Sequence, residues 1–297
     1  MAQNVVTSKA YYSLLIDFQT ITKMGLSTSV VFSCLAGYLL AADTINFSVL
    51  SLLAIGGYCM VGASNVFNQI IERDLDRLMD RTKNRPLPKG RISVTNAFIL
   101  GILLTFIGLT ILYTINPRTA MFAAISIFIY TSIYTPLKQK TALSVLAGAV
   151  PGAIPFMLGW VSATNDFSIE PGILFMIQFF WQFPHFWAIA WMTNDDYSSA
   201  GLNLLPTRKK DNASALQIIL YSIWTIVISI FPAFGFSGTL SLSIVGVIII
   251  LILGLIFLFY ALNLYIKKTK QQAKKLMIFS IVYISLLQIT YVFDKFI

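Results

Sequence analysis

The chain is a succession of apolar runs separated by short polar connections, and most of the runs are long enough to cross a bilayer. An α-helix rises 1.5 Å per residue, so about 20 apolar residues span the hydrocarbon layer. Such runs fall at roughly residues 24–42, 47–67, 93–115, 119–136, 142–163, 170–193, 214–234, 240–262 and 275–294. No water is available in that layer to satisfy backbone N–H and C=O groups, so each run must close its hydrogen bonds on itself as a helix. The expectation is an all-α polytopic membrane protein of nine transmembrane helices, with residues 1–297 forming one domain. Composition agrees: 57% of residues are hydrophobic and 11% charged, against about 25% charged in a soluble domain. Cys34 and Cys59 both lie in apolar runs and read as free thiols rather than a disulfide framework. Residues 1–23 are mixed and polar, and the run that follows is full length, so it reads as a retained span rather than a cleaved leader.

Basic residues orient the spans. Lys9 and Lys23, the cluster from Arg73 to Arg91, Lys138 and Lys140, Arg208 to Lys210, and the lysines from Lys267 to Lys275 all fall on the N-terminal side. Only Arg118 and Lys295 fall on the other. Lys and Arg are retained in cytoplasmic loops, so the N-terminus (1–23) and the even-numbered loops are expected in the cytoplasm, with the chain in the cell (plasma) membrane. The net charge of +9 follows from this topology. It implies contact with the lipid bilayer and no nucleic-acid partner.

Against this apolar background the stretch 68–88, NQIIERDLDRLMDRTKNRPLP, stands out. Asn68, Glu72, Asp76 and Asp80 recur every four residues, and Arg73, Arg77, Arg81 and Arg85 run beside them. On a helix that spacing makes an acidic ladder next to a basic one. Such a pair suits a metal-bound polyanion: carboxylates hold Mg²⁺, the metal bridges phosphate oxygens, and guanidiniums take the remaining charge. The i,i+3 pairs Arg73–Asp76, Asp74–Arg77 and Arg77–Asp80 fit a solvated, salt-bridged helix equally well, and charge alone does not choose. Asp195 and Asp196 follow the sixth run on the same expected face. Alone they read as a helix end; together with the first cluster they read as a second metal site across a diphosphate. Lys138 reaches that face as well, as a phosphate contact or an anchor, whereas Lys140 reads as an anchor.

Polar groups at membrane depth are costly and point to function. Asn65, Asn68, Gln178, Gln182 and His185 are of this kind. His185 is the sole histidine and sits among Trp181, Trp187 and Trp191. A packed core histidine is the plainer reading, and a ligand or proton-transfer role the sharper one. Aromatic faces also stabilise cations. Pro151, Pro155 and Pro184 interrupt the fifth and sixth runs and imply bends or a cavity wall.

Asn68, Glu72 and Asp76 fill the Asn-x-x-x-Asp-x-x-x-Asp motif of the UbiA-type intramembrane prenyltransferases, with Glu in the middle place. The trailing Arg81, Thr82, Arg85 and Pro86, with YTPLK (134–138), WQFPHFWAIAW (181–191) and DYSSAG (196–201), make the narrower pattern. In that order they resemble the protohaem IX farnesyltransferase (haem O synthase) branch of the family. The resemblance implies nine helices around a central cavity, farnesyl diphosphate and haem B as substrates, and Mg²⁺ as cofactor. It implies Asn68, Glu72, Asp76 and Asp196 as catalytic residues and Glu72, Asp76, Asp80, Asp195 and Asp196 as metal ligands. Arg77, Arg81, Arg85, Lys138 and His185 are the implied substrate contacts. A haem-modifying enzyme that takes up the product is the candidate docking partner. One departure matters: many relatives carry a second Asp-x-x-x-Asp, but here Ser199 and Ala200 stand four residues after Asp195 and Asp196. A single carboxylate, Asp196, is then expected to carry the second site. Two prenyl-acceptor readings remain, haem and an aromatic quinone precursor. A secondary transporter is the rival class, but the charges gather on one face and no inverted repeat is evident. A passive subunit of a respiratory complex leaves the double ladder unexplained.

Overall fold

The computed structural model describes residues 14–296. Residues 1–13, with Lys9 and most of the expected cytoplasmic N-terminal segment, lie outside that range. Among the described residues, nine helices are long and apolar enough to cross a membrane, and the chain is a multi-pass membrane protein. They are α1 (Met24–Ala41), α2 (Phe47–Ile71), α3 (Val94–Ile115), α4 (Pro117–Leu137), α5 (Ser144–Thr164), α6 (Ile169–Met192), α7 (Asn212–Phe234), α8 (Ile244–Lys267) and α9 (Lys270–Lys295). Each helix packs on the next, and α9 returns to α1, which closes a ring. Across the ring α1 packs on α5 and α6 on α9. A cavity of about 200 Å³ lies between α1, α2, α4, α5, α6 and α9.

Local sequence sets the helix starts. A helix leaves its first N–H groups unpaired, and a preceding Ser, Thr, Asn or Asp side chain accepts from one of them. Asn46 does so for α2, Ser93 for α3, Asn116 for α4 with Pro117 at the first helical position, Asp211 for α7, Ser243 for α8 and Thr269 for α9. These caps correct two expected boundaries. The eighth helix begins at Ile244 rather than near 240, because Ser237 turns back on Leu240 (Oγ to O, 2.6 Å) before the Ser243 cap. The ninth begins at Lys270, since Thr269 caps it and the lysines of its first turns remain helical.

The expected continuous ladder is also corrected. The helix of Asn68 ends at Ile71, Glu72 has ψ 7°, and a separate short helix runs from Arg73 to Leu78. Met79 is extended, so Asp80, Arg81 and Arg85 leave the helix for a loop that reaches 93.

Where α1 crosses α5 the two backbones touch through glycine. A Cβ on Gly159 would overlap the carbonyl oxygen of Cys34, and one on Gly37 would overlap that of Phe156. Backbone cannot retreat as a flexible side chain can, so overpacking here costs at least the ~1–3 kcal/mol usual for a core. Gly159→Val is expected to lower the detergent-solubilised melting temperature sharply and to cut the folded yield, read by fluorescence-detected gel filtration after heating. An unchanged melting curve would contradict this packing.

Candidate active site

The ionic cluster forms at one rim of the ring, above the cavity. Asn68, Glu72 and Asp76 lie along one stripe that continues from α2 into the short helix, and all three are buried, with Glu72 6% and Asp76 1% exposed. Buried charges must be paired, and both carboxylates are. Arg85 Nη1 donates to both oxygens of Asp76, at 2.8 and 3.0 Å. Lys138 Nζ donates to Glu72 at 2.9 Å. The loop carrying Arg85 is itself held: Thr82 Oγ1 donates to the Asp76 carbonyl at 2.9 Å. Arg91 donates to the buried Asp17 carboxylate (2.9 and 3.1 Å) and to the Asn84 carbonyl.

The opposite wall comes from α4. Residues Ile129–Tyr134 adopt a wide π turn, of the sort that appears inside helices at functional sites. Pro136 has no N–H to give the helix ladder, and the Thr135 hydroxyl donates to the Tyr130 carbonyl at 2.8 Å. The turn sends Thr135 to Asn68, which donates to its hydroxyl at 3.2 Å. It also places Tyr130 and Tyr134 in the cavity wall. Lys138 Nζ lies 4.5 Å from the Tyr134 ring centroid. Burial alone works against the Lys138 charge, but Tyr134 and Glu72 outweigh it, and its pKa is raised.

Lys23 completes the cluster, a role the sequence reading did not give it. Its Nζ lies 3.4 Å from Asn68 Oδ1, and its backbone is left-handed (φ 47°) at the entry to α1. Burial, with Arg85 and Lys138 nearby, lowers its pKa to about 7. Its position just before the first apolar run was the only available signal, and that position also fits an inside anchor.

The second acidic segment reaches the same rim by a different contact. Asp196, in the short helix Asn194–Ser199, accepts from the Asp80 backbone N–H at 2.7 Å and from that of Arg81 at 3.3 Å. Arg81 Nη2 donates to Tyr197 Oη at 3.3 Å, and Met79, Ala200 and Leu202 pack beneath. The structure therefore joins the two loops through the Asp196 carboxylate and the backbone of Asp80 and Arg81. Among the described residues no three His, Cys, Asp or Glu side chains converge as metal ligands. Asp80 and Asp195, expected as metal ligands, have side chains 87% and 80% exposed and pair with Lys83 and Lys210. These partners hold both carboxyls below the usual carboxylate range. Arg77, expected as a substrate contact, pairs with Asp74 and faces outward. For Asp80 the cause is the extended Met79, which takes the chain off the stripe before it.

The family follows from direct comparison. Residues 30–286 match the UbiA prenyltransferase family. The chain belongs to that family. It is 65% identical to a protoheme IX farnesyltransferase of Christiangramia forsetii, over 96% of this chain and 95% of the relative. It is 61% identical to one of Flavobacterium psychrophilum, over 96% of each. Among UbiA proteins it thus groups with the protohaem IX farnesyltransferases, and it is an enzyme of that type. A UbiA homologue of Archaeoglobus fulgidus, solved with DMAPP and Mg²⁺, shares the fold with a TM-score of 0.75 at 17% identity, covering 94% of this chain and 98% of that one.

The donor chemistry of the stripe fits Mg²⁺. The ion takes hard oxygen ligands in near-octahedral geometry and is commonly held by only one or two carboxylates, with substrate phosphates completing its shell. Asn68, Glu72 and Asp76 offer an amide oxygen and two carboxylates on one face, ringed by Lys23, Arg85 and Lys138.

Proposed function

We propose that this protein transfers the farnesyl group of farnesyl diphosphate to a vinyl group of haem B, with addition of water, to give haem O. The observation that carries the reading is the buried, cation-ringed carboxylate pair Glu72 and Asp76 directly above a membrane-depth cavity. Residues 1–297 act as one transferase domain in the cell membrane, with the ionic rim at the cytoplasmic face. A prenyl chain and a porphyrin both partition into lipid, while the diphosphate stays at the polar rim. Mg²⁺, held by Glu72 and Asp76 with Asn68, supplies Lewis-acid charge to the diphosphate oxygens.

The chain's own groups do the rest. Arg85 and Lys138, already at the carboxylates, and Lys23 and Arg81 at the rim, neutralise negative charge growing on the bridging oxygen as the allylic C–O bond lengthens. Tyr130, Tyr134 and Trp181 line the cavity and turn aromatic faces to the allylic cation. The cation adds to the vinyl carbon as diphosphate departs, water adds to the resulting cation, and the proton it loses passes to the departing diphosphate or to solvent. Asp196 serves as a tether: its oxygens hold the backbone of the loop that carries Arg81 and Arg85.

That tether separates itself from metal ligation by mutation. Asp196→Asn keeps an amide oxygen for one of the two N–H groups, so a tether loses little, within about tenfold in kcat/KM. Asp196→Ala loses both bonds, each worth ~1.5–3 kcal/mol to a charged acceptor, and is expected to be far slower. Equal losses in the two variants would instead mark Asp196 as a ligand. Asp80→Ala and Asp195→Ala remove solvent-exposed, screened ion pairs and are expected to stay within severalfold of the parent rate.

The acceptor is tested by competition. Purified protein receives farnesyl diphosphate and Mg²⁺ with equal haem B and an aromatic quinone precursor, and the products are weighed by mass spectrometry. Haem plus farnesyl plus water is the expected product. A farnesylated aromatic ring with unchanged haem would move the chain to another acceptor.

A further inference from the structure

His185 is the one histidine of the chain. It stands in the cavity wall on α6, seven residues before the rim end of that helix at Met192, or roughly 10 Å below it at 1.5 Å per residue. Its surroundings define its tautomer. The Ser280 hydroxyl, buried on α9, donates its single proton to the Met277 carbonyl at 2.6 Å. Toward His185 Nδ1, 2.7 Å away, the same oxygen is then an acceptor. With the Ser280 proton on that carbonyl, Nδ1 carries the imidazole proton and Nε2 keeps its lone pair, and the Met277 carbonyl stands within reach of the same imidazole. The side-chain hydrogen bond of His185 among the described residues is made through Nδ1. The ring plane is fixed as well: it stacks on Trp181 with centroids 4.8 Å apart and 17° between planes. Trp181 in turn donates to the Ser280 carbonyl at 2.6 Å.

A packed core histidine satisfies both nitrogens. A metal-binding histidine instead donates through one nitrogen to a fixed acceptor and leaves the other free. The arrangement here is the second kind, opening on the cavity beneath the ionic rim. Among its described lining residues that cavity has no Cys or Met. Neutral imidazole is a common axial ligand of haem iron.

We infer that Nε2 of His185 ligates the iron of the porphyrin acceptor and so sets the ring against the allylic carbon. The inference rests on the proposed haem acceptor and adds the atom that holds it. Ser280 acts through His185 as a positioning residue, by fixing the tautomer and ring angle. Tyr134 lines the same cavity and lies under Lys138, so a porphyrin held at His185 sits directly below the diphosphate groups.

The test is spectroscopic and uses the full chain purified without a polyhistidine tag, so that any protein imidazole signal comes from this residue. Ferrous haem B is added without farnesyl diphosphate, and resonance Raman spectra are recorded. The parent protein is expected to show an iron–imidazole stretching band. His185→Ala is expected to lose the band, to bind haem at least tenfold more weakly, and to recover the band with added imidazole. Its affinity for metal-free protoporphyrin IX is expected to stay at the parent value, which also reports that the variant is folded. Ser280→Ala retains the ligand but loses the acceptor for Nδ1–H, so its band is expected at lower frequency, with haem binding ~10-fold weaker or more. This second variant decides the matter if His185→Ala does not fold. Haem bound and farnesylated without any imidazole band in the parent protein, a band that persists in His185→Ala, or an unshifted band in Ser280→Ala would overturn the ligation and leave the proposed function standing. Farnesyl transfer to another acceptor by a protein that takes up no haem would overturn the proposed function itself.

Discussion

Asp76→Asn is expected to lower farnesyl transfer by about 10²–10³-fold, the loss typical when one preorganised electrostatic group is removed from a charge-stabilising site. The substitution keeps the shape of the side chain and one oxygen facing Arg85, so the protein is expected to insert and purify, with a melting temperature lowered by the Arg85 charge it leaves without its carboxylate. The size of the effect follows from burial. Asp76 is 1% exposed and accepts both of its short contacts from one guanidinium nitrogen. A neutral amide there leaves the site more positive without a metal and removes a full ligand charge with one. Excess Mg²⁺ is expected to restore part of the rate, because a weakened site fills again by mass action. Parent-like turnover by Asp76→Asn at ordinary Mg²⁺ would remove this residue from the chemistry.

The second large effect concerns Lys138 and Glu72 and separates stability from activity. The pair is mostly buried, with side chains 13% and 8% exposed, and closes at 2.9 Å. Removing one partner of such a pair leaves an uncompensated charge, at a cost of about 3–5 kcal/mol, whereas removing both is often close to neutral. Lys138→Met is therefore expected to lower the melting temperature markedly, and Lys138→Met with Glu72→Gln to recover most of it. Activity is expected to behave differently. The double variant lacks a carboxylate and a phosphate-side cation, so it stays at least as slow as either single one. Thermal melts and initial rates on the same four proteins supply the comparison. Recovery of rate along with stability would mean that the pair only holds the rim together.

The nine spans were legible because hydrocarbon admits so few backbone solutions, and length with charge count locates them. Boundaries moved where a cap, such as Ser243 or Thr269, outweighed the edge of the apolar run. The shared buried stripe of Glu72 and Asp76 was legible from spacing, since a four-residue repeat survives a small break between two helices. The exposure of Asp80 was not, because the extended Met79 before it depends on the loop packing against the Asp196 segment. Periodicity carries no information about such a contact. Tyr130 was missed, and Tyr134 and Thr135 were noted only within YTPLK with no role, for a related reason. A π turn shifts which residues share a face, and Pro136 was its only trace in the sequence. Lys23 was hidden by its double use, since a lysine at the start of a first span is what an inside anchor looks like.

We propose that the Glu72–Asp76 stripe binds the diphosphate end of the prenyl donor with a divalent ion. Equilibrium binding of farnesyl thiodiphosphate, a slowly reacting analogue, measures this directly in the purified parent, Glu72→Gln and Asp76→Asn proteins, with Mg²⁺ and with chelator. Tight binding only in the parent with Mg²⁺, and loss of the Mg²⁺ dependence in both variants, is the predicted result. Binding that ignores Mg²⁺, or that survives both substitutions undiminished, would contradict the site described.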